Sequence, residues 1–305
     1  GIGRMHDARW RVGRWPGDAV LAGTLFIVAT PIGNLGDVTR RGCEVLSSVA
    51  VIAAEDTRHT GRLLAQLGIQ TPLVAIHEHN EQARAPELVA RMLAGDDVAL
   101  VSDAGTPLVS DPGYRLVDAA VSAGVRVTPI PGACALIAAL SVAGLPTDRF
   151  AFEGFLPQKA AARRARLVAL ASEQRTLVFY ESPHRLAASL ADLAECLGAQ
   201  RPAVIARELT KLHETVYRGT LAGLQSLLSR DTNLARGELV IVVGGSVIEH
   251  HADDGPRADA LLQRLLPHAP LAVVVDAVAE CLGIRRNVVY DRALQLKRAV
   301  DDDSA

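Results

Sequence analysis

From residue 24 to residue 245 the chain repeats one pattern: a short apolar run, a loop of Gly, Pro or Asp, then a helical stretch. Nothing else in the sequence constrains the fold as strongly. Strands are expected at Thr24–Ala29, Val49–Ala54, Leu73–Ile76, Asp97–Val101 and Val125–Pro129. Between them lie helical patterns at Val38–Ser48, up to Leu67, at Glu81–Leu93, at Tyr114–Ala123 and at Ala133–Ala143. Strands alternating with helices at this spacing build βαβ units and a mostly parallel sheet. Gly144–Asp148 reads as a linker to a second such unit. Its strands are expected at Phe150–Leu156, Arg175–Tyr180, Ala203–Ala206 and Glu238–Val243, with helices at Gln158–Ser172 and up to Leu197. Glu214–Arg218 alternates like an antiparallel strand, and Thr220 is placed to cap a helix ending at Leu228.

A third unit, Arg257–Val300, is helical throughout. Leu271–Leu282, a glycine turn at 283–287 and Val288–Lys297 read as a helix-turn-helix. Arg285, Arg286, Arg292, Lys297 and Arg298 incline it toward nucleic acid. The expected class is therefore α/β: two consecutive α/β domains, 23–144 and 145–246, and a small helical extension, 257–300. Residues 1–22, rich in Arg, Gly and Trp without periodicity, are expected to be a disordered or non-native leader outside the fold.

Composition narrows the function. At 305 residues with 49% hydrophobic side chains there is ample core, and a formal net charge of −2 gives no whole-protein field for nucleic acid. Any such binding must use a local patch. Aromatics make up 4%, which argues against a base-stacking platform. Cys43, Cys134, Cys196 and Cys281 are far apart, with no Cys-x-x-Cys and no Cys/His cluster, so no metal is expected. They read as small core residues in a reducing cytoplasm. No apolar run reaches membrane-span length.

The chemistry-bearing stretch is Ser102-Asp-Ala-Gly-Thr-Pro107, continued by Ser110-Asp-Pro-Gly113. It leaves the carboxyl end of an expected strand, where open α/β sheets bind ligands. Asp111 and Pro112 are expected at the cap and first position of the next helix. Neither Gly-x-Gly-x-x-Gly nor Gly-x-x-x-x-Gly-Lys-Ser/Thr occurs. Glu55 and Asp56 still stand where dinucleotide folds place a ribose-binding acid, which keeps a dehydrogenase as a rival. Glu55-Asp-Thr-Arg58, Glu181-Ser-Pro-His-Arg185, and Arg207-Glu208 with Lys211 and Glu214 each close a strand. Singly such clusters cap helices; three at strand ends point to a shared cleft.

Val28-Ala-Thr-Pro-Ile-Gly-Asn-Leu-Gly-Asp37, Ala54-Glu-Asp-Thr-Arg58, the 102–113 loop, Ile130-Pro-Gly132 and Phe179-Tyr-Glu-Ser-Pro-His-Arg185 occur together in this order. The combination resembles the tetrapyrrole methylase superfamily, and within it the bacterial branch acting on small-subunit ribosomal RNA. The resemblance spans about residues 24 to 245. It implies S-adenosylmethionine folded between two α/β domains, a homodimer, and methyl transfer to a cytidine ribose 2′-hydroxyl in the decoding region of 16S rRNA. By position it implies that Thr30, Pro31, Ser102, Asp103, Ala104, Gly105, Thr106, Ile130, Pro131 and Gly132 line or flank the cofactor. From the second domain it brings Tyr180, Glu208, Gly237, Glu238 and Leu239 over the adenosine. Relatives acting on porphyrin-type rings carry Gly-x-Gly-Pro-Gly-Asp in the first loop; here that position reads Thr30-Pro-Ile-Gly-Asn34.

A ribose hydroxyl is a weak acid, so a base must take its proton. Glu55 or Asp56 is the expected base, with Lys211 second if burial lowers its pKa. Arg58, Arg185 and Arg207 are expected on RNA phosphates. A small-molecule methyltransferase of the same fold and a non-enzymatic RNA-binding assembly factor are the alternatives.

Overall fold

The computed structural model describes residues 22–246 and 254–302, so the leader expected at 1–22 falls almost wholly outside the described residues. The chain divides into two compact units, one through Gly244 and one from Gly245.

The first unit holds two five-stranded sheets. In the first, β1 (Thr24–Val28), β2 (Val51–Ala54), β3 (Leu73–Ala75), β4 (Val98–Val101) and β5 (Arg126–Ile130) lie in the order β3-β2-β4-β1-β5. Every pairing is parallel. Helices α1 (Arg40–Ser48), α2 (Thr57–Leu67), α3 (Glu81–Leu93) and α4 (Tyr114–Ser122) make the crossovers. Strands covered on both faces must be apolar at every position, and β2 and β4 are buried throughout. All five strands aim their carboxyl ends at the same edge, which therefore collects the loops at 30, 55, 102 and 131.

Two local signals differ from expectation. Helix α1 starts at Arg40, because Thr39 caps it by accepting from the Gly42 amide. Helix α4 is capped by Gly113 at φ 124°, and Asp111 takes no part. A Cβ on Gly113 would sit 2.7 Å from Leu100 Cδ2, so only glycine fits. The first turn is instead satisfied from outside: the buried Glu81 carboxylate accepts from the Leu116 amide at 3.1 Å.

The second sheet contains β6 (Phe150–Phe155), β7 (Thr176–Glu181), β8 (Pro202–Arg207), β9 (Thr215–Thr220) and β10 (Leu239–Val243), in the order β6-β7-β10-β8-β9. Here parallel pairing holds only for β6 with β7; β10 enters the middle antiparallel to both neighbours. As expected, β9 is antiparallel, and Thr220 caps α8 (Leu221–Leu228) through the Gly223 amide. Helices α6 (Ala160–Ala169) and α7 (Leu186–Leu197) cover one face. Helix α5 (Ala135–Ala143) covers the other: Leu136 and Leu140 pack with Val178, Val204 and Val240. The three arginines of α6 are engaged within the unit. Arg163 and Arg164 both hold Asp192, and Arg166 holds Glu153.

The second unit has α9 (Asp254–Leu265), α10 (Leu271–Leu282) and α11 (Arg286–Asp302), with Gly283 at φ 65° between the last two. Leu262, Val275, Val278 and Val289 form its core, and Arg292 forks onto Asp259 at 2.7 and 2.9 Å. Among the described residues no helix is long and apolar enough to cross a membrane, and no His/Cys/Asp/Glu group could hold a metal. Cys43, Cys134 and Cys196 pack half-buried against the hydrophobic cores, as expected; Cys281 is exposed, which corrects the core reading for that residue.

Candidate active site

The loop after β4 is sewn to the end of β1. Thr30 and Gly105 exchange backbone hydrogen bonds at 2.8 and 3.1 Å, and the Thr30 hydroxyl donates to the Ser102 carbonyl. The Thr106 hydroxyl donates to the Ala133 carbonyl at 3.0 Å. Gly105, at φ 83°, takes a conformation that a side chain would strain. These ties hold Ala104-Gly105-Thr106 on one wall of a cleft of about 350 Å³. That volume is within the range of small-ligand sites. Tyr180 and Gly237–Leu239 form the facing wall.

The second wall is fixed by an ionic knot. Glu208 accepts from the Glu238 amide and from Lys211 Nζ, both at 2.9 Å, and Lys211 also reaches Glu238 at 3.2 Å. Glu208 sits at φ 51° and Gly237 at φ 75°. Non-glycine residues in the left-handed region are uncommon and collect at functional sites. The Lys211 stem lies across Gly33, where a Cβ would come within 2.4 Å of it. Lys211 thus ties the first loop to the second sheet. Burial alone would lower its pKa, but Glu208 and Glu238 outweigh burial and raise it. The condition set for Lys211 as a base is not met.

The carboxylates divide by environment. Asp56 caps α2 through the Arg58 and His59 amides and holds the Arg58 guanidinium at 3.0 and 3.2 Å. Those bonds pull its pKa to about 2, so it is a poor proton acceptor. Glu55 is pushed up, first by burial and then by Asp103 and Asp111. Asp111, which lines the cleft, is also pushed up by burial, against the Ser102 hydrogen bond. Asp103 accepts from the Asp56 amide at 3.0 Å. Burial moves the Tyr180 hydroxyl to about 12, so it stays a neutral phenol, accepting from the Leu136 amide at 3.2 Å.

Of the expected cofactor residues, Ala104, Gly105, Thr106, Tyr180, Gly237, Glu238 and Leu239 line the cleft. Thr30, Pro31, Ser102, Asp103, Ile130, Pro131, Gly132 and Glu208 are not in the lining. Several of these instead hold it: Ile130 pairs with Val28, and a Cβ on Gly132 would press the Ala29 Cβ at 2.9 Å. Ile32, Asp111, Cys134 and Phe155 line the cleft and escaped sequence reasoning. Asp111 was hidden by its resemblance to a cap; the others carry no spacing signal.

The three arginines fare differently. Arg58 is exposed at the Glu55–Asp56 corner. Arg185 serves the Leu156 and Pro157 carbonyls beside Glu181. Arg207 holds the Arg236 and His213 carbonyls at 2.8 and 3.0 Å.

Residues 24–225 match the family model described as Tetrapyrrole (Corrin/Porphyrin) Methylases, and residues 252–297 match the RsmI C-terminal HTH domain. The chain is 54% identical to the Ribosomal RNA small subunit methyltransferase I of Pseudomonas aeruginosa, covering 90% of this chain and 98% of that protein. It is 50% identical to the protein of the same name in Escherichia coli O157:H7, over 90% and 95%. Among solved structures, the uroporphyrin-III-C-methyltransferase of Thermus thermophilus aligns with a TM-score of 0.52 at 24% identity, covering 73% of this chain and 94% of that one. The methyltransferase CobJ aligns at 0.54 and 21%, over 73% and 95%. At those identities the structural likeness speaks for the fold alone.

Proposed function

The chain belongs to the tetrapyrrole methylase family, in its ribosomal RNA small subunit methyltransferase I group, and from that premise we propose that it methylates a cytidine ribose 2′-hydroxyl in the decoding region of 16S rRNA, with S-adenosylmethionine as donor. One observation carries the reading: Ala104–Thr106 and Gly237–Leu239 face each other across a cleft that Asp111, a carboxylate pushed up by burial, also lines, with Glu55 outside the lining but close enough to feel the charge of Asp111.

The cleft suits that donor. Gly105, Gly237, Ala104 and Ala135 leave room for close approach to backbone, and Leu239, Val240 and Ile32 offer apolar surface to an adenosine. No lysine or arginine is among the described residues lining it, while Asp111 and Glu238 are. Such a lining favours a cationic ligand. When bound, the donor supplies a methyl carbon made electrophilic by a positive sulfur, so the protein's own task is orientation and proton removal.

Glu55 takes the proton of the ribose hydroxyl. A carboxylate with a raised pKa is a stronger base, and among the described residues no guanidinium holds the charge of Glu55. Asp56 is withdrawn from that role by its cap and by Arg58, and Lys211 by its two carboxylates. Arg58 is the phosphate contact of this reading; Arg185 and Arg207 hold backbone carbonyls. The reading includes a cytoplasmic homodimer, as the family implies.

The test is calorimetric titration with S-adenosylmethionine of the native chain and of Gly105→Val, with label transfer to small ribosomal subunits and to precursor porphyrins. Saturable heat lost in Gly105→Val, with label in RNA alone, supports the reading. No heat points to the assembly-factor alternative, and label in porphyrin to the small-molecule one.

A further inference from the structure

Few aromatic side chains are spread over this chain, yet three of them pack together, two of them lining the cleft. Tyr180 packs edge-on against Phe152, with ring centres 4.8 Å apart, and against Phe155 at 5.6 Å. Phe152 is partly buried in the core beneath the second sheet. Phe155 lines the cleft and remains 55% exposed.

That position is arranged by the backbone. In a regular strand, residues 152 and 155 would face opposite sides of the sheet. Strand β6 carries a bulge between Phe152 and Gly154: Phe152 pairs with Val178, Gly154 with Phe179 and Phe155 with Tyr180. Gly154 takes φ 63°, and a Cβ there would come 3.3 Å from Ser110 Oγ of the 102–113 loop. The extra residue shifts the alternation by one, bringing Phe155 to the side that Phe152 occupies. Bulges re-aim side chains near active sites in this way. Four residues on, Lys159 stands at the N-cap position of α6, exposed and without an ion-pair partner among the described residues.

An open aromatic ring at the lip, followed four residues along the chain by an exposed, unpaired ammonium, suits a nucleotide: a flat base and its phosphate. Sequence-specific RNA recognition uses unstacked bases laid on aromatic rings. Tyr180 and Gly237–Leu239 stand opposite the loop assigned to the donor, and of the aromatic rings lining the cleft Phe155 is the exposed one, so it is left for the acceptor. We propose that Phe155 is the stacking face for a nucleobase of the RNA acceptor and that Lys159 contacts an adjoining phosphate. This inference rests on the methyl-transfer reading above.

The experiment compares native protein with Phe155→Ala, Phe155→Leu, Phe155→Trp and Lys159→Met. It measures the KM for small subunits lacking the modification, filter binding of small-subunit RNA without turnover, and calorimetric affinity for S-adenosylmethionine. Phe155→Ala and Phe155→Leu are expected to raise KM and weaken RNA binding by roughly 5- to 150-fold, at unchanged donor affinity. Phe155→Trp stays within a few-fold of native. Lys159→Met weakens binding less and lowers its salt dependence. The proposal is overturned if Phe155→Leu matches native, if Phe155→Ala loses donor affinity at constant RNA binding, or if its main effect is a change of oligomeric state. Native protein that binds RNA but transfers no label would refute the methyl-transfer reading and leave the filter-binding comparison to decide on Phe155.

Discussion

Gly237→Ala probes the wall of the cleft most sharply. The residue holds φ 75°, where an alanine costs about 1–2 kcal/mol. Its new Cβ would lie 2.4 Å from both Cδ and Oε1 of Glu208, closer than real contacts allow. Glu208 must swing away and release Lys211 Nζ or the Glu238 amide, each now at 2.9 Å. Lys211 and Glu208 are largely shielded from solvent, and losing one such charged hydrogen bond costs about 1.5–3 kcal/mol. The sum is about 2.5–5 kcal/mol, measurable as a lower urea midpoint at unchanged slope by circular dichroism. A double-mutant cycle separates the terms. In a Glu208→Ala background the obstacle is gone, so Gly237→Ala should cost only the backbone term. Donor affinity should fall with Gly237→Ala and recover no further in the double variant. Equal costs of Gly237→Ala in both backgrounds would refute the knot as the element that sets this wall.

Glu55→Gln should lower kcat by roughly 10²- to 10⁴-fold while leaving calorimetric donor affinity intact. Because Glu55 must be ionised to act and its pKa is raised, kcat/KM should fall as pH drops through a value above that of an ordinary glutamate; Asp111→Asn removes a like charge and should move that limb to lower pH. Asp192→Ala should destabilise the α/β unit by about 3–5 kcal/mol in chemical unfolding, because it strands the buried Arg163. Burial opposes the Asp192 charge, but Arg163 and Arg164 outweigh it and lower its pKa. Its stabilisation is therefore present above the unfolded carboxyl value and lost as pH falls through the lower folded one, which acid titration of the native and Asp192→Ala proteins should separate. Thr220→Ala should cost about 1 kcal/mol in the same unfolding assay, through loss of the α8 cap.

The first sheet was legible because its strands follow one another through local βα units and carry a plain hydrophobic period. The second was less so: β10 comes last in sequence yet pairs in the middle, and no local signal marks a long-range insertion. The loop 102–113 stood out by its small residues, but the role of Asp111 did not. Left-handed Leu108 and Ser110 turn the chain before the helix starts, and neither is a residue type that announces such a turn. Beside Lys211 the sequence shows Glu208, three residues away, but not Glu238, which a separate loop brings to the same ammonium and which helps to hold its charge. Composition likewise gave the scarcity of aromatics but not their gathering: a single bulge brings Phe155 to Tyr180.

The account turns on methyl transfer to ribose, and alkaline hydrolysis tests that directly. A 2′-O-methyl group blocks cleavage at its own nucleotide, so small subunits labelled from methyl-tritiated S-adenosylmethionine should yield their tritium in one alkali-resistant dinucleotide that begins with cytidine. Tritium recovered in mononucleotides, or absent from RNA altogether, would contradict the account.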